Sequence, residues 1–379
     1  MKNKSIVFIP PNGELVAQDF ALFRIINYLA ELNIKTYLLV VNELNDSKLH
    51  YETNIIAFNS RQEIISHLEN NKYNLIFHRT WMHRYPFAAE IANKFDNAII
   101  YIKDWQNLPE DKYGHVYSTQ DDCEAIKSIF NSNATLLSHY KHSYMKKLSK
   151  QYNSPNSKLI FFPEYCNKNL FIQKNKSVKK KMKILFASGL NSSSQAIETS
   201  PGKSVFNLMY TISKQNIRID LMLLPKAYTK LNANDKLYED YLYEDKFNPF
   251  FNIKKGSELN HNDTLKYHFG IFAGLDMNVE GLYLEAESNA ITSKLSFYLE
   301  SGLPILVNKK FKFLSKLVEK NSIGLIYEDK NLKDLNSLIN ITKKEYSDLL
   351  QNVNIFRKKF IYNQKTMKPI LKLLGKGFK

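Results

Sequence analysis

The sequence predicts an α/β chain of two units, each built on a parallel sheet. Amphipathic helices alternate with short apolar strands along most of the chain, the pattern that builds parallel sheets. Six lysines between Lys174 and Lys183 interrupt that alternation near the middle, as a charged linker does. The 379 residues, 44% of them hydrophobic, are ample for two folded cores. The divisions read this way are residues 1–170, 171–345 and a helical tail, 346–379.

Ser5 to Ile9 is a short apolar run closed by Pro10, Pro11, Asn12 and Gly13, a first strand feeding a turn. Leu22, Ile25, Ile26, Leu29 and Leu32 follow at helical spacing, and Tyr37 to Val41 is a second buried strand. This βαβ opening lacks G-x-G-x-x-G, so a nicotinamide enzyme is not supported. Ile55 to Phe58, a helix over Ile64, Ile65 and Leu68, and a strand from Asn74 to Phe77 continue the pattern. The polar cluster His78 to Arg84 comes next. Ligands of open parallel sheets bind beyond the carboxyl ends of strands. His78 and His83 there suit a base, and Arg79 and Arg84 a carboxylate or phosphate; a basic surface loop over Trp81 is the plainer alternative. The strand Ala98 to Ile102 leads to Asp104, a second acid–base candidate or a turn cap. A helix around Glu124 to Phe130, a strand Thr135 to Leu137, a helical piece Tyr144 to Leu148 and a strand Lys158 to Phe162 complete the first half.

The second half opens with the strand Ile184 to Ala187, followed by Ser188 and Gly189, where a glycine permits close approach of a ligand. Gly202-Lys203 precedes a helix over Val205, Leu208, Met209 and Ile212, and Ile219 to Leu224 is a strand. Tyr228 to Phe251 has no clear period and no element is assigned to it. After the strand Phe269 to Ala273, the stretch Ala290 to Asp329 reads helix, strand, helix, strand. Its first helix starts at Ser293-Lys294, where unpaired N–H groups, a hydroxyl and a full positive charge suit a diphosphate; the alternative is a serine cap beside a solvated lysine.

KLSFYLESGLPILV, Lys294 to Val307, with the helix and glycine-containing strand that follow, resembles the donor-nucleotide half of the GT-B glycosyltransferases, in particular the family 4-like type of bacterial cell-surface enzymes. The resemblance implies two Rossmann-like domains with parallel sheets facing a cleft, and C-terminal helices crossing back to the first domain. It implies donor phosphates at Gly189, Lys203, Ser293 and Lys294, and a nucleotide base at Ser257, Glu258 and Leu259. Catalytic groups would come from His78, His83 or Asp104, and acceptor contacts from Arg79 and Arg84. The activity implied is metal-independent, cofactor-free transfer of a sugar from a nucleotide donor to a hydroxyl of a bacterial surface glycan or lipid-linked acceptor. Two departures stand out: Phe297 occupies the position of a usual ribose-holding Glu, and Tyr-Cys-Asn, residues 165–167, replaces Gly-Val-Asp in the crossing segment. They keep two alternatives open, a noncatalytic GT-B-like subunit binding glycan or a partner enzyme, and a nucleotide-sugar epimerase.

Cys123 and Cys166 are isolated, so neither a disulfide framework nor a zinc site is implied, and a reducing cytoplasm fits. The apolar run at the N-terminus is too short for a signal peptide, and no uninterrupted run is long enough to span a bilayer. The net charge of +16 calls for an anionic partner: a nucleotide or acidic glycan, an anionic membrane surface, or nucleic acid. Nucleic acid ranks last because no recognisable binding motif is present. The basic amphipathic end, Met367 to Phe378, is expected either to rest on the inner face of the membrane or to be solvated.

Overall fold

The computed structural model describes residues 4–14, 20–42, 52–81, 84–103, 120–154, 158–173, 182–188, 205–223, 228–229, 231, 238–256, 261–272, 285–286 and 288–376. The chain divides into two compact units, Met1–Tyr165 with Tyr362–Lys379, and Cys166–Ile361.

In the first unit the strands are β1 (Ser5–Ile9), β2 (Lys35–Val41), β3 (Asn54–Phe58), β4 (Leu75–Thr80), β5 (Ala98–Ile102), β6 (Thr135–Ser138) and β7 (Lys158–Phe161). They form a sheet in the order β3-β2-β1-β4-β5-β6-β7, with every pair parallel. Helices α1 (Phe20–Glu31), α2 (Arg61–Asn70), α3 (Tyr85–Lys94), α4 (Gln120–Asn131) and α5 (His142–Gln151) connect them. Burial of every residue of β5 explains why it reads as an unbroken apolar run: crossover helices cover a parallel sheet on both faces. The chain leaves β1 through Asn12 and Gly13, both at positive φ. A Cβ on Gly13 would sit 2.7 Å from Val41 Cγ2, so glycine is needed for space as well as for backbone angle.

The second unit holds β8 (Lys183–Ser188), α6 (Phe206–Ser213), β9 (Arg218–Leu223), α7 (Glu239–Phe247), β10 (Phe251–Lys255), β11 (Phe269–Phe272), α8 (Lys294–Glu300), β12 (Ile305–Asn308), α9 (Lys312–Asn321), β13 (Gly324–Tyr327), α10 (Leu335–Ile339) and α11 (Lys343–Lys359). Its sheet runs β10-β9-β8-β11-β12-β13, again all parallel. The α/β expectation of two parallel sheets with crossover helices is met.

Three local readings change. The segment left unassigned contains α7 and the start of β10; α7 buries Tyr241 and Glu244 while exposing Tyr243 and Phe247, so its inside and outside do not follow polarity. Strand β4 runs three residues past Phe77, which draws His78, Arg79 and Thr80 into the sheet. The tail divides later than residue 346. Helix α11 starts with a capping box between Thr342 and Glu345 and packs Tyr346 and Leu350 into the second unit's core. The segment grouped with the first unit begins at Tyr362 and contains α12 (Lys368–Lys376). Met367, Ile370 and Leu374 are fully buried, and Lys4 Nζ donates to the Leu374 carbonyl at 2.8 Å. The apolar side expected to face lipid is therefore already covered. Among the described residues no helix is long and apolar enough to cross a membrane.

Candidate active site

In each sheet the first strand is flanked by the two halves of the strand order. β1 lies between β2 and β4, and β8 between β9 and β11. Connections leave such a reversal in opposite directions, and the crevice they open beyond the carboxyl ends of the strands is where open α/β sheets bind ligands.

At the second unit's reversal, β8 and β11 pair only at Ile184–Phe269 and Leu185–Gly270. Where the ladder stops, the Tyr298 hydroxyl from α8 takes over: it accepts the Ala187 N–H at 3.0 Å and donates to the Ile271 carbonyl at 2.9 Å. The ring is fully buried, and a Cβ on Gly270 would fall 2.5 Å from it, so Gly270 leaves the room that Tyr298 needs. Burial raises the Tyr298 phenol above its ordinary range, so the bridge is a neutral hydroxyl. Lys294, the first residue of α8, places Nζ 4.7 Å from the centre of the Phe186 ring near the end of β8. Ser293 stands at the N-cap with helical backbone angles and no side-chain capping bond, so it is not the cap that the plainer reading made it.

Phe297 lies 5.0 Å ring to ring from His261. The one acid of α8, Glu300, does not offer the ribose-holding carboxylate that the resemblance leads one to expect on this helix. It is fully buried, with Oε1 accepting the Asn167 N–H at 2.8 Å and Oε2 facing His261 Nε2 at 3.0 Å. Both oxygens are committed to holding the crossing segment and the short turn His261–Thr264 against α8.

At the first unit's reversal the polar cluster splits. His78 points into the core, fully buried, with Nδ1–H donating to the Ile9 carbonyl at 3.1 Å and the ring edge-on to Phe87 at 5.2 Å. Burial drives its pKa down to about 3, the Ile9 carbonyl only partly opposing this, and a substrate cannot reach it. His78 is thus a neutral core histidine and not the base suggested by its place after an apolar run. Arg79 is also buried, and its Nη2 meets Glu164 Oε1 at 2.7 Å. The acceptor role expected of it is corrected in the same way, because its charge is engaged beneath the surface. Arg84, a quarter exposed, donates from Nη1 to the Pro11 carbonyl at 3.2 Å and to Glu14 Oε2 at 3.0 Å, so it joins the ends of β1 and β4.

Trp81 gathers the cations of this region: Arg84 lies 5.3 Å, Arg79 5.7 Å and Lys103 6.0 Å from its ring centre. Near them the buried His139 is held neutral, its pKa lowered to about 3 by burial and then by the positive charges of Lys103 and Arg79.

His83, Asp104, Gly189, Lys203, Ser257, Glu258 and Leu259 lie outside the described residues. Of the expected site, the structure places Ser293 and Lys294 at one reversal and Arg84 at the other. Sequence reasoning missed Tyr298, Lys103, His139 and Glu164. Position after a strand could have flagged Lys103 and His139; nothing local marks Tyr298 or Glu164, whose partners are 111 and 85 residues away. Among the described residues no three His, Cys, Asp or Glu side chains gather closely enough to hold a metal ion.

Residues 227–372 match the family described as Glucosyltransferase 3-like, C-terminal domain. No curated protein sequence matches the chain. Solved structures similar to it include Anabaena HepE in complex with UDP-glucose (10% identity, 98% of this chain and 99% of that one, TM-score 0.65). The E. coli trehalose-6-phosphate structure bound with UDP-2-fluoro glucose is similar over the same shares at 9% identity and TM-score 0.64. WaaG, a glycosyltransferase involved in lipopolysaccharide biosynthesis, is 11% identical over 96% of this chain and 98% of that one, with TM-score 0.56. The fold is therefore the GT-B fold of glycosyltransferases, and the resemblance read from Lys294 to Val307 is borne out, in fold along nearly the whole chain and in sequence over its C-terminal region.

Proposed function

We propose, from the GT-B fold and the glucosyltransferase 3-like C-terminal region, that this protein transfers a hexose from a nucleoside-diphosphate sugar to an acceptor hydroxyl. The observation that carries the reading is Lys294, set over Phe186 at the strand-order reversal and inside the matched region. An ammonium fixed there offsets the charge that builds on the departing diphosphate, the kind of preorganised electrostatic support that dominates many transfers. Ser293, Gly189 and Lys203 complete the phosphate contacts, and Ser257, Glu258 and Leu259 face the nucleotide base. Uridine is the base favoured, because HepE is described in complex with UDP-glucose. The acceptor, a bacterial surface glycan or lipid-linked sugar, binds the first unit near Arg84. Asp104 or His83 takes the acceptor's proton as the new glycosidic bond forms, if the transfer inverts configuration.

Thermal shift against UDP, GDP, ADP, CMP and dTDP, on wild type and Lys294→Ala, tests this. UDP at a hundred times its dissociation constant stabilises the folded state by about 2.7 kcal/mol. The expected result is a UDP shift in wild type and little in the variant; no shift from any nucleotide at millimolar concentration rejects the reading. Phe297 and the committed Glu300 favour a second reading, a noncatalytic subunit that binds nucleotide sugar. Binding of UDP-glucose with no UDP release across a panel of sugar acceptors would select it.

A further inference from the structure

We infer that the first unit carries a subsite for an anionic group on the acceptor, a phosphate or a carboxylate, formed by Lys103 and Arg84 around Trp81 above the buried Arg79–Glu164 pair. This rests on the reading that the acceptor binds the first unit. Three cations surround a single indole, each within 6.0 Å of its centre. Glu164 meets Arg79 at 2.7 Å, beneath the indole. The partner of Arg84, Glu14, is 59% exposed and so holds it weakly. Among the described residues Lys103 has no carboxylate partner. Positive charges concentrated over a low-dielectric floor repel one another and focus a field that attracts an anion.

His139 reports the same field. It is 5% exposed and stays unprotonated in part because Lys103 and Arg79 face it. Its neutral ring adds no further positive charge beneath the group. The Tyr101 hydroxyl, buried under Arg79, has no hydrogen-bond partner among the described residues. Half-buried Trp81 adds the flat apolar surface on which a sugar ring packs. The position fits as well: Arg84 ties together β1 and β4, whose ends define the reversal, and Lys103 follows β5 directly, its N–H bonded to the Thr80 carbonyl at 3.0 Å.

Glucose 6-phosphate, glucuronate and glucose share one ring and differ only at the sixth carbon, which makes them the probes. Calorimetric titration of the full chain at low ionic strength is expected to show one or both anions binding at least tenfold more tightly than glucose. A response to the phosphate alone identifies a phosphoester, a response to glucuronate alone a uronate, and both a general oxyanion site. Lys103→Gln and Arg84→Gln should each weaken the anion about tenfold or more, and Lys294→Ala should leave it unchanged. The inference is overturned if glucose binds as well as the anions, if both glutamine variants bind them unaltered, or if Lys294→Ala abolishes binding. The UDP shift, read on the two glutamine variants, and the thermal midpoint of Lys294→Ala without ligand show that the variants are folded. Absence of the UDP shift from wild type would reject the transferase reading, while the anion titration would still be decided on its own.

Discussion

The two strand-order reversals occupy the same topological position and are built in opposite ways. Between β1 and β4 the connection is made by a partly exposed cation, Arg84, in a group of charges around Trp81. Between β8 and β11 it is made by a buried neutral hydroxyl, Tyr298, with the cation Lys294 at the head of the same helix. Parallel order fixes where the crevice opens; the side chains on neighbouring elements fix what it attracts. At each reversal buried groups hold the geometry and half-exposed cations sit over them, a separation between support and recognition that substitution can test.

The largest effect is expected at Arg79, where Arg79→Ala takes the guanidinium away from the buried Glu164 carboxylate. A loss of about 3–5 kcal/mol follows from breaking a buried pair on one side only, measured by denaturant unfolding. A loss below about 1 kcal/mol would mean that water reaches Glu164, and the first unit would have no buried floor. Tyr298→Phe comes second. It keeps the ring but strands the Ala187 N–H and the Ile271 carbonyl, at a cost of about 1–3 kcal/mol for unsatisfied buried groups. It should also weaken UDP through the displaced end of β8; unchanged stability would show that Tyr298 does not hold the reversal open.

Acid should separate the two units. Burial holds His78 and His139 near pKa 3, against an ordinary value of 6.5. Between these values the unfolded chain binds protons that the folded chain does not, so stability rises with pH and falls on acidification from about 6.5 towards 3. The loss approaches about 1.4 kcal/mol per pH unit for each histidine. Trp81 and Trp105 both belong to the first unit, so tryptophan fluorescence reads that unit alone. Unfolding followed this way should weaken between pH 6.5 and 5, and the slope should be shallower in His78→Phe; an unchanged slope would assign the acid response elsewhere. The smallest effects belong to the half-exposed cations. Lys103→Gln and Lys294→Ala should each change unfolding stability by no more than about 0.5 kcal/mol while removing their ligand responses. A larger loss in either would make that lysine part of the support.

Much of this molecule was legible in its sequence. The βαβ opening, the helix–strand alternation and the stretch around Lys294 follow from local hydrophobic period, which is set by residues within a turn or two of one another. That is why β12, α9 and β13 lie where the spacing put them. Residues 78–80 were misplaced for a related reason. Periodicity marks a strand by apolar side chains, and β4 ends in His78, Arg79 and Thr80, which are buried all the same because the Ile9 carbonyl, the Glu164 carboxylate and the Arg84 carbonyl receive them.

The sequence by itself determined two parallel sheets, a lysine at the head of α8 and a phenylalanine at position 297. Only the tertiary structure decided which polar groups are structural. Arg79 finds Glu164 85 residues away, Tyr298 reaches Ala187 across 111, and Glu300 is taken by Asn167 and His261. The energy of a buried charge or hydroxyl depends on partners supplied by distant elements, and no local spacing encodes which of them will arrive.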